Sequence, residues 1–517
     1  MGTERSSPAD DPAGTPPGSR AGPGPGQGEG QGSGGTGSAY VPDPRRWKAL
    51  TVCLVVGFMT LLDVSIVNVA LPSIEKGLGA SESALSWVLS GYALAFGLVL
   101  VPSGRIGDAY GRRTAFLAGL VLFTVASMAC GVARSASWLV IARLVQGLAG
   151  GLLNPQISGM IQQLFRGAER GRAFGLLGST IGISTAVGPL LGGLLIQGFG
   201  EDEGWRWVFF VNLPIGVVAF FLALRLVPAS CAARDTTHRQ SLDPVGVLLL
   251  GAGVLAIMLP LVEERQWEGS GKWLLEPVGV ALLALFLWWE RRHRLRGRAP
   301  VVDLRLFQDR SYSLGALLGL LYFAGFTTIF FVFTLFLQNG MGYSALQAGL
   351  AITPFAVGSA LSAAVGGRFI TRVGRPLIAL GLLLVLVGLG GAGIAVDAVR
   401  DGAIGWALAA PMLVAGIGSG LVISPNQTLA LQSVPVAQGG AAGGVLQTGQ
   451  RIGSAAGIAA VGAVFFAWLA SSRDWATALD HGLITALCFV AAAFLVAVVD
   501  VVYGRRAERR GGRRADA

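Results

Sequence analysis

Charge of either sign is scarce in this chain, and lysine and histidine are scarcer still. Of 517 residues only 13% are Asp, Glu, Lys or Arg, against 53% hydrophobic, and the mean hydropathy is +0.62. A soluble globular protein needs more charge than this to keep its surface solvated, so that class is excluded. Lysine occurs only at Lys48, Lys76 and Lys272, which leaves arginine to supply almost all of a net charge of +10. Such a balance raises nucleic acid as a partner, but the arginines sit between hydrophobic runs, where they set topology, and no nucleic-acid partner is expected. The three histidines, His238, His293 and His481, are far apart and form no HExxH pattern. The four cysteines show no ligand spacing: Cys53, Cys130 and Cys488 lie in apolar runs and Cys231 stands alone in a connection. Neither a metal site, a disulfide framework nor a catalytic residue is expected, and the lack of GxxxxGK[ST] removes an ATP-driven mechanism.

What is abundant is apolar sequence in long runs. Residues 1–44 are the exception: rich in Gly, Pro, Ser and acid, they cannot bury a core and are expected to be a disordered tail. Gly30, Gly32 and Gly35 match GxGxxG, but with no strand before and no helix after them they are not a dinucleotide site. The first apolar run follows Arg45, Arg46 and Lys48 and is long enough to span, so it is no signal peptide.

A spanning helix needs about 20 mostly apolar residues. Fourteen such runs occur, at roughly 49–72, 85–103, 114–133, 137–157, 173–198, 207–227, 244–262, 273–289, 314–337, 346–366, 376–396, 404–425, 437–468 and 481–503. We number them spans 1 to 14. The connections between them alternate in charge. One set holds Arg45 to Lys48, Arg105 to Arg113, Arg166 to Arg172, Arg225 to Arg239, Arg291 to Arg310, Arg368 to Arg375 and Arg505 to Arg514. The other is acidic or mixed, with Glu75 and Glu82, Glu201 to Glu203, Glu263 and Glu264, Asp397 and Asp401, and Asp474 and Asp480. By the positive-inside rule the first set is cytoplasmic, and so are both termini.

One basic connection occurs twice. Gly104-Arg-Ile-Gly-Asp-Ala-Tyr-Gly-Arg-Arg113 aligns with Gly367-Arg-Phe-Ile-Thr-Arg-Val-Gly-Arg-Pro376, so Gly104, Arg105, Gly111 and Arg112 fall on Gly367, Arg368, Gly374 and Arg375. The copies follow spans 2 and 10, which predicts two related six-span halves, residues 45–227 and 312–503. Between them lies an insertion at 228–311 carrying spans 7 and 8, and 504–517 is a basic tail.

Several ordered motifs resemble the major facilitator superfamily, and within it the fourteen-span drug:proton antiporter branch. They are Leu62-Asp-Val-Ser-Ile-Val-Asn-Val-Ala-Leu-Pro72, the Gly104–Arg113 connection, Leu139-Val-Ile-Ala-Arg-Leu-Val-Gln-Gly-Leu-Ala-Gly-Gly151, the run from Gly178 to Gly193, and Trp205-Arg-Trp-Val-Phe-Phe-Val-Asn-Leu-Pro-Ile-Gly216. The resemblance covers residues 45 to 503. It implies an all-α membrane protein of the major facilitator fold, two six-helix halves plus two inserted helices. It also implies efflux of small amphipathic drugs or antibiotics, cations among them, in exchange for protons.

The residues themselves carry chemistry in the same places. Asp63 is an acid inside span 1, where a carboxylate costs about 2.5–3.5 kcal/mol on insertion scales, so it must face a cavity, pair or take up a proton. A bond to Asn68 or solvation at the outer end are the bland alternatives. Arg143 in span 4 shares a face with Gln146 and cannot give up its proton, so it tunes a neighbouring acid and does not shuttle; in the family this arginine is implicated in proton coupling, its alternative being a structural ion pair. Gly178, Gly182, Gly188, Pro189, Gly192 and Gly193 in span 5 bring backbones close and bend the helix, and in the family they form the antiporter hinge. Asp108 accepts from a helix start or from Arg112, so that Gly104, Arg105, Asp108, Gly111 and Arg112 form an inward-side latch. Asn68, Gln146, Asn426, Gln447 and Arg451, with Gln450, are candidates to line a cavity. The aromatics from Tyr322 to Phe336 form either a substrate wall or a lipid-facing stripe. Glu263 and Glu264 read as solvated connection acids.

The competing classes have little support. A membrane enzyme lacks a catalytic constellation, a sensor would carry a further soluble domain, and proton-coupled nutrient uptake is the rival within transporters. The bias to Arg, Ala and Gly fits G+C-rich coding DNA, as in actinobacteria, and hence a bacterial plasma membrane. The partners expected are a small-molecule substrate, protons and the lipid bilayer; the sequence does not fix the oligomeric state, with which a monomer is compatible. The second copy of the repeated connection has Thr371 where Asp108 stands, so Asp108→Asn is expected to lower transport more than substitution of Thr371 does. Initial-rate assays of the two variants check this, and equal losses overturn it.

Overall fold

In hydrocarbon every backbone N–H and C=O must be paired within its own segment, and for runs of about 20 apolar residues that means helix. The computed structural model describes residues 42–200, 202–228, 243–263, 267, 269–399 and 403–515. Among the described residues there is no strand, and fourteen helices are long and apolar enough to cross a membrane. Spans 1 to 6 are Arg46–Leu78, Ser83–Tyr110, Arg112–Gly131, Ala136–Leu164, Gly167–Phe199 and Gly204–Leu226. Spans 7 and 8 are Pro244–Val262 and Ser270–Leu295. Spans 9 to 14 are Arg310–Gly340, Leu346–Ile370, Pro376–Ala398, Ile404–Ala430, Val436–Ser472 and Trp475–Tyr503. The tail to residue 41, with Gly30, Gly32 and Gly35, and also Cys231, His238 and Glu264, lie outside the described residues.

The helices outrun the apolar stretches that announce them. Span 1 continues through Pro72 to Leu78, a helix of 33 residues, or about 50 Å at 1.5 Å per residue against a hydrocarbon layer of about 30 Å. The repeated basic segments are therefore not loops. Gly104 to Tyr110 forms the last turns of span 2, only Gly111 (φ 102°) breaks the helix, and Arg112 already begins span 3. In the second copy the helix runs on to Val373 and breaks at Gly374 (φ 66°). Apolarity marks where lipid ends; the helix stops where a glycine enters the left-handed region that other residues avoid. Elsewhere the starts are set by capping side chains: Ser81 accepts from the Ala84 amide, Ser135 from Trp138, Asp309 from Tyr312, and Ser344 with Gln347 makes a reciprocal capping box.

Spans 1 to 6 pack on one another, and so do spans 9 to 14, the latter around a core that includes Tyr322, Phe333, Leu382 and Phe465. The two groups meet along two seams, one of spans 2 and 4 with span 13 and one of span 5 with spans 10 and 12. Span 7 covers the first seam, packing Leu250, Val254 and Met258 beside Leu94 and Val101 of span 2. Span 8 lies outside span 7 and buries only Gly279, Phe286, Glu290 and His293.

Both seams depend on residues without side chains. A Cβ on Gly171 would stand 2.7 Å from the Gly367 carbonyl oxygen, and one on Gly175 would stand 2.7 Å from that of Ala363. Cβ positions of Gly178 and Ala363 are 3.0 Å apart, and those of Gly182 and Ala360 are 3.2 Å apart. Ser179 then donates across the seam to the Ala360 carbonyl at 2.6 Å. Disulfides bridge Cβ atoms about 3.5–4.5 Å apart, and a parting of the two helices by a few tenths of an ångström brings the Gly182 and Ala360 positions, 3.2 Å apart, into that range. A Gly182→Cys, Ala360→Cys pair in a chain whose native cysteines are replaced is thus expected to cross-link on mild oxidation. The readout is loss of both thiols to a maleimide-polyethylene glycol reagent and their return on reduction.

Candidate functional site

Five helices of the first group converge on Asp63. Arg143 Nη1 donates to its Oδ2 at 2.6 Å, while Gln146 Nε2 and Asn212 Nδ2 donate to its Oδ1 at 2.8 and 2.9 Å. Ser127 of span 3 joins Gln146 at 2.7 Å, Arg143 Nη1 also reaches Gln146 Oε1 at 2.7 Å, and Cys130 adds a weak contact at 3.5 Å. Span 2 contributes the Val88 carbonyl, which accepts from Arg143 Nε at 3.1 Å, and the Tyr92 ring, whose centroid is 4.2 Å from the guanidinium carbon. Asp63, Gln146 and Asn212 are fully buried and Arg143 is 1% exposed.

The helices explain the placement. Arg143 and Gln146 share a face of span 4, as Ser127 and Cys130 do on span 3 and Val88 and Tyr92 on span 2. Asn212 is set by a local break: Pro214 has no N–H for the Phe210 carbonyl, span 6 divides into Gly204–Phe210 and Asn212–Leu226, and the asparagine heads the second piece. Three donors converge on one carboxylate, the arrangement that holds an ionised acid. It is also costly to half-dismantle, because removing either charge leaves the other buried and unpaired.

A second constellation closes the basic end of the bundle. Asp108 Oδ1 accepts from Arg112 Nη2 at 2.7 Å and from the Gly440 amide at 3.1 Å, and its Oδ2 accepts from the Ala441 amide at 2.9 Å. The carboxylate thus takes the two partners expected of it together, an arginine and the N-terminal amides of span 13, where the helix dipole favours an anion. Arg112 continues the clasp through the carbonyls of Gly159, at 2.6 Å, and Val436. Gly104 makes the approach feasible, since a Cβ there would collide with the Gly440 carbonyl. Arg105 is buried in the field of Asp108 and Glu290. Deeper along the same seam, Ser158 of span 4 accepts from Gln427 at 3.1 Å and Gln447 at 3.3 Å.

Other sequence candidates lie elsewhere. Asn68 is exposed and bonds its own helix at the Val64 carbonyl, 3.0 Å, so it is not the partner of Asp63. Gln146 is sealed beside Asp63. Asn426 donates to the Gly315 carbonyl at 2.9 Å and joins span 12 to span 9. In span 5, Gly178 and Gly182 face span 10, Gly188 and Gly192 face Ser65 and Ile66 of span 1, Pro189 lies near Gly349, and Gly193 meets nothing within 4 Å. Of the span 9 aromatics, Tyr322, Phe333 and Phe336 are core residues, and Phe326 and Phe330 pack on Phe355, so they form no lipid-facing stripe. Glu263 is 5% exposed, not solvated. Sequence reasoning passed over Ser127 and Asn212, the latter visible as a lone amide in an apolar run, and Asp500, which holds Arg310 at 2.9 Å and also Arg375 of the second copy.

A model of the Major Facilitator Superfamily matches residues 53–458. The chain belongs to that superfamily. It is 37% identical over 469 residues to a probable actinorhodin transporter of Streptomyces coelicolor, covering 89% of this chain and 79% of that one. It is 34% identical over 423 residues to the multidrug resistance protein Stp of Mycobacterium tuberculosis, covering 81% and 75%. Among solved structures, the proton:xylose symporter XylE superposes with a TM-score of 0.63 at 16% identity, covering 87% of this chain and 94% of that one, which speaks to fold alone. This facilitator is therefore a multi-pass membrane transporter and not an enzyme, and its relatives include a probable antibiotic transporter and a multidrug resistance protein.

Breaking one side of a buried pair costs about 3–5 kcal/mol. Arg143→Gln is expected to lower detergent-solubilised stability by that order, and Asp63→Asn with Arg143→Gln by less than the sum of the single changes. Thermal unfolding of the four proteins checks this; additive losses would mean the two groups do not interact.

Proposed function

We propose that this facilitator exports small amphipathic antibiotics or drugs across a bacterial plasma membrane in exchange for protons, with Asp63 as the proton carrier. The observation that carries the reading is the sealed carboxylate in the membrane interior with three donors around it, one of them a permanent cation. Arg143 cannot shuttle a proton, so the titrating member of the pair is Asp63. Protonating Asp63 removes the charge that holds Arg143 and one of the acceptor positions, and the pair loosens. A protonated acid then needs an acceptor of its own. Asn212 has one ready: its Oδ1 is buried without a partner, one amide flip from the carboxyl. No cofactor beyond the proton enters this scheme.

The basic end, with both termini, is assigned to the cytoplasm by the positive-inside rule. The Asp108 clasp then shuts the inner side in the form described here. In the proposed cycle this form releases substrate outward and takes up a proton; the protonated form opens the clasp, loses its proton inside and loads substrate. Spans 1 to 6 and 9 to 14 are the two halves that rock, and the span 5 glycines are the hinge. The names of the antibiotic-handling and multidrug-resistance relatives support export over uptake.

The test is full-length protein in proteoliposomes with an imposed pH gradient and a panel of dyes and antibiotics. Wild type is expected to move substrate against proton flow, and Asp63→Asn is expected to abolish gradient-driven movement while retaining substrate binding. A mutant that transports every substrate normally and still moves protons would overturn the assignment.

A further inference from the structure

Several arginines of the helical bundle are paired with carboxylates, and Arg451 is not. Asp63 neutralises Arg143, Asp108 neutralises Arg112, and Asp500 holds both Arg310 and Arg375. Arg451 makes no ion pair or hydrogen bond among the described residues; its guanidinium carbon lies 4.5 Å from the centroid of the Phe96 ring. The residue is half-buried. It lies twelve residues beyond the helix start at Gly439, about 18 Å along the axis at 1.5 Å per residue and thus well inside the hydrocarbon layer.

The neighbours of Arg451 show which way it faces. Ile452 turns to the cluster that span 7 makes on the seam, so the lipid side is covered. Gln450 approaches Gly319 of span 9. Gln447, one turn toward the basic end, closes against Ser158. Arg451 therefore stands just above a closed polar contact, between span 2 and span 13. Phe96 stacks at 6.0 Å and 26° on Tyr92, and Tyr92 carries Arg143 on its ring.

We propose that Arg451 is the anchor of a substrate subsite for an anionic group, a carboxylate or phenolate, attached to an apolar body, with the buried rings of Phe96 and Tyr92 as the floor behind the guanidinium. The inference deepens the efflux reading and rests on it. A guanidinium matches a carboxylate with two parallel N–H donors, and a ring beneath it fixes the plane of that fork before the ligand arrives. A cationic amphipath, the class that sequence resemblance admits, would meet uncompensated like charge at this point. The aromatic bridge also links the subsite to the Asp63–Arg143 pair, so an anion at Arg451 and a proton on Asp63 act on the two ends of one stack.

The experiment uses three probes with one ring system: naphthylacetate, its methyl ester and naphthylmethyl-trimethylammonium. Binding to the purified full-length protein is measured in neutral detergent, and transport in phosphatidylcholine proteoliposomes with and without added anionic lipid. Wild type is expected to bind the carboxylate at least about tenfold more tightly than the ester, and the cation most weakly. Arg451→Gln is expected to lose that preference while still binding the ester, and Arg451→Lys to keep part of it. The proposal is overturned if wild type binds the three probes alike, if Arg451→Gln keeps the preference, or if it loses ester and carboxylate equally. A preference that vanishes once anionic lipid is added would also overturn it, by assigning the charge to a lipid headgroup. Failure of the proton-exchange reading looks different: carboxylate preference in binding, with no probe driven by the pH gradient.

Discussion

Close approach of helix backbones at the two seams is the constraint on which the other features rest. Asp108 reaches the first amides of span 13 because Gly104 lets span 2 lie against Gly440, and Ser179 reaches a carbonyl of span 10 because Gly171, Gly175, Gly178 and Gly182 leave no side chains between. In lipid there is little hydrophobic drive to hold helices together, so short-range packing and interhelical hydrogen bonds must do it, and both fall off steeply with distance. A methyl group at these crossings would move the partners apart by enough to lose both.

Within the first group the logic is reversed. The Asp63 network is sealed, and its partners come from helices that already pack tightly, so it has no room for gradual rearrangement. In the proposed cycle its charge state is the variable. An ionised Asp63 holds Arg143, Gln146 and Asn212 to itself; a neutral one releases at least the arginine, which keeps the Val88 carbonyl and Gln146 Oε1. In the proposed cycle the consequence reaches the seam through Tyr92, since the ring that carries Arg143 stacks on Phe96, and Phe96 packs against the glycines of span 4 as well as under Arg451.

Much of this was legible in the sequence because membrane insertion imposes simple rules. Apolar length marked all fourteen helices, and the expense of burying charge singled out Asp63 and Arg143. What stayed hidden was set by tertiary contact. Asn212 is 149 residues from Asp63, and a lone amide in an apolar run reads the same whether it meets a carboxylate or its own helix, as Asn68 does. Asp500 sits near the end of the last span, and only the fold brings it to Arg375 of the second repeat. Helix ends were misplaced for a different reason: hydropathy reports the lipid boundary, whereas Gly111 and Gly374 end the helices, at backbone angles that composition does not encode.

The repeat with which the duplication announced itself also shows where the two seams differ. The first copy places a carboxylate on the amide end of span 13, an interaction between an anion and a helix start that one arginine orients. The second copy has Thr371 in the aligned position, and its arginine turns away from the seam to Asp500 of span 14. The seam of spans 5 and 10 is therefore held by glycine packing and a hydroxyl bond, and the seam of spans 2 and 13 by charge. Charge can be switched off by a proton or outcompeted by water, and van der Waals packing cannot. In the proposed cycle the glycine seam is accordingly the side that stays in contact and pivots, and the Asp108 seam the side that opens.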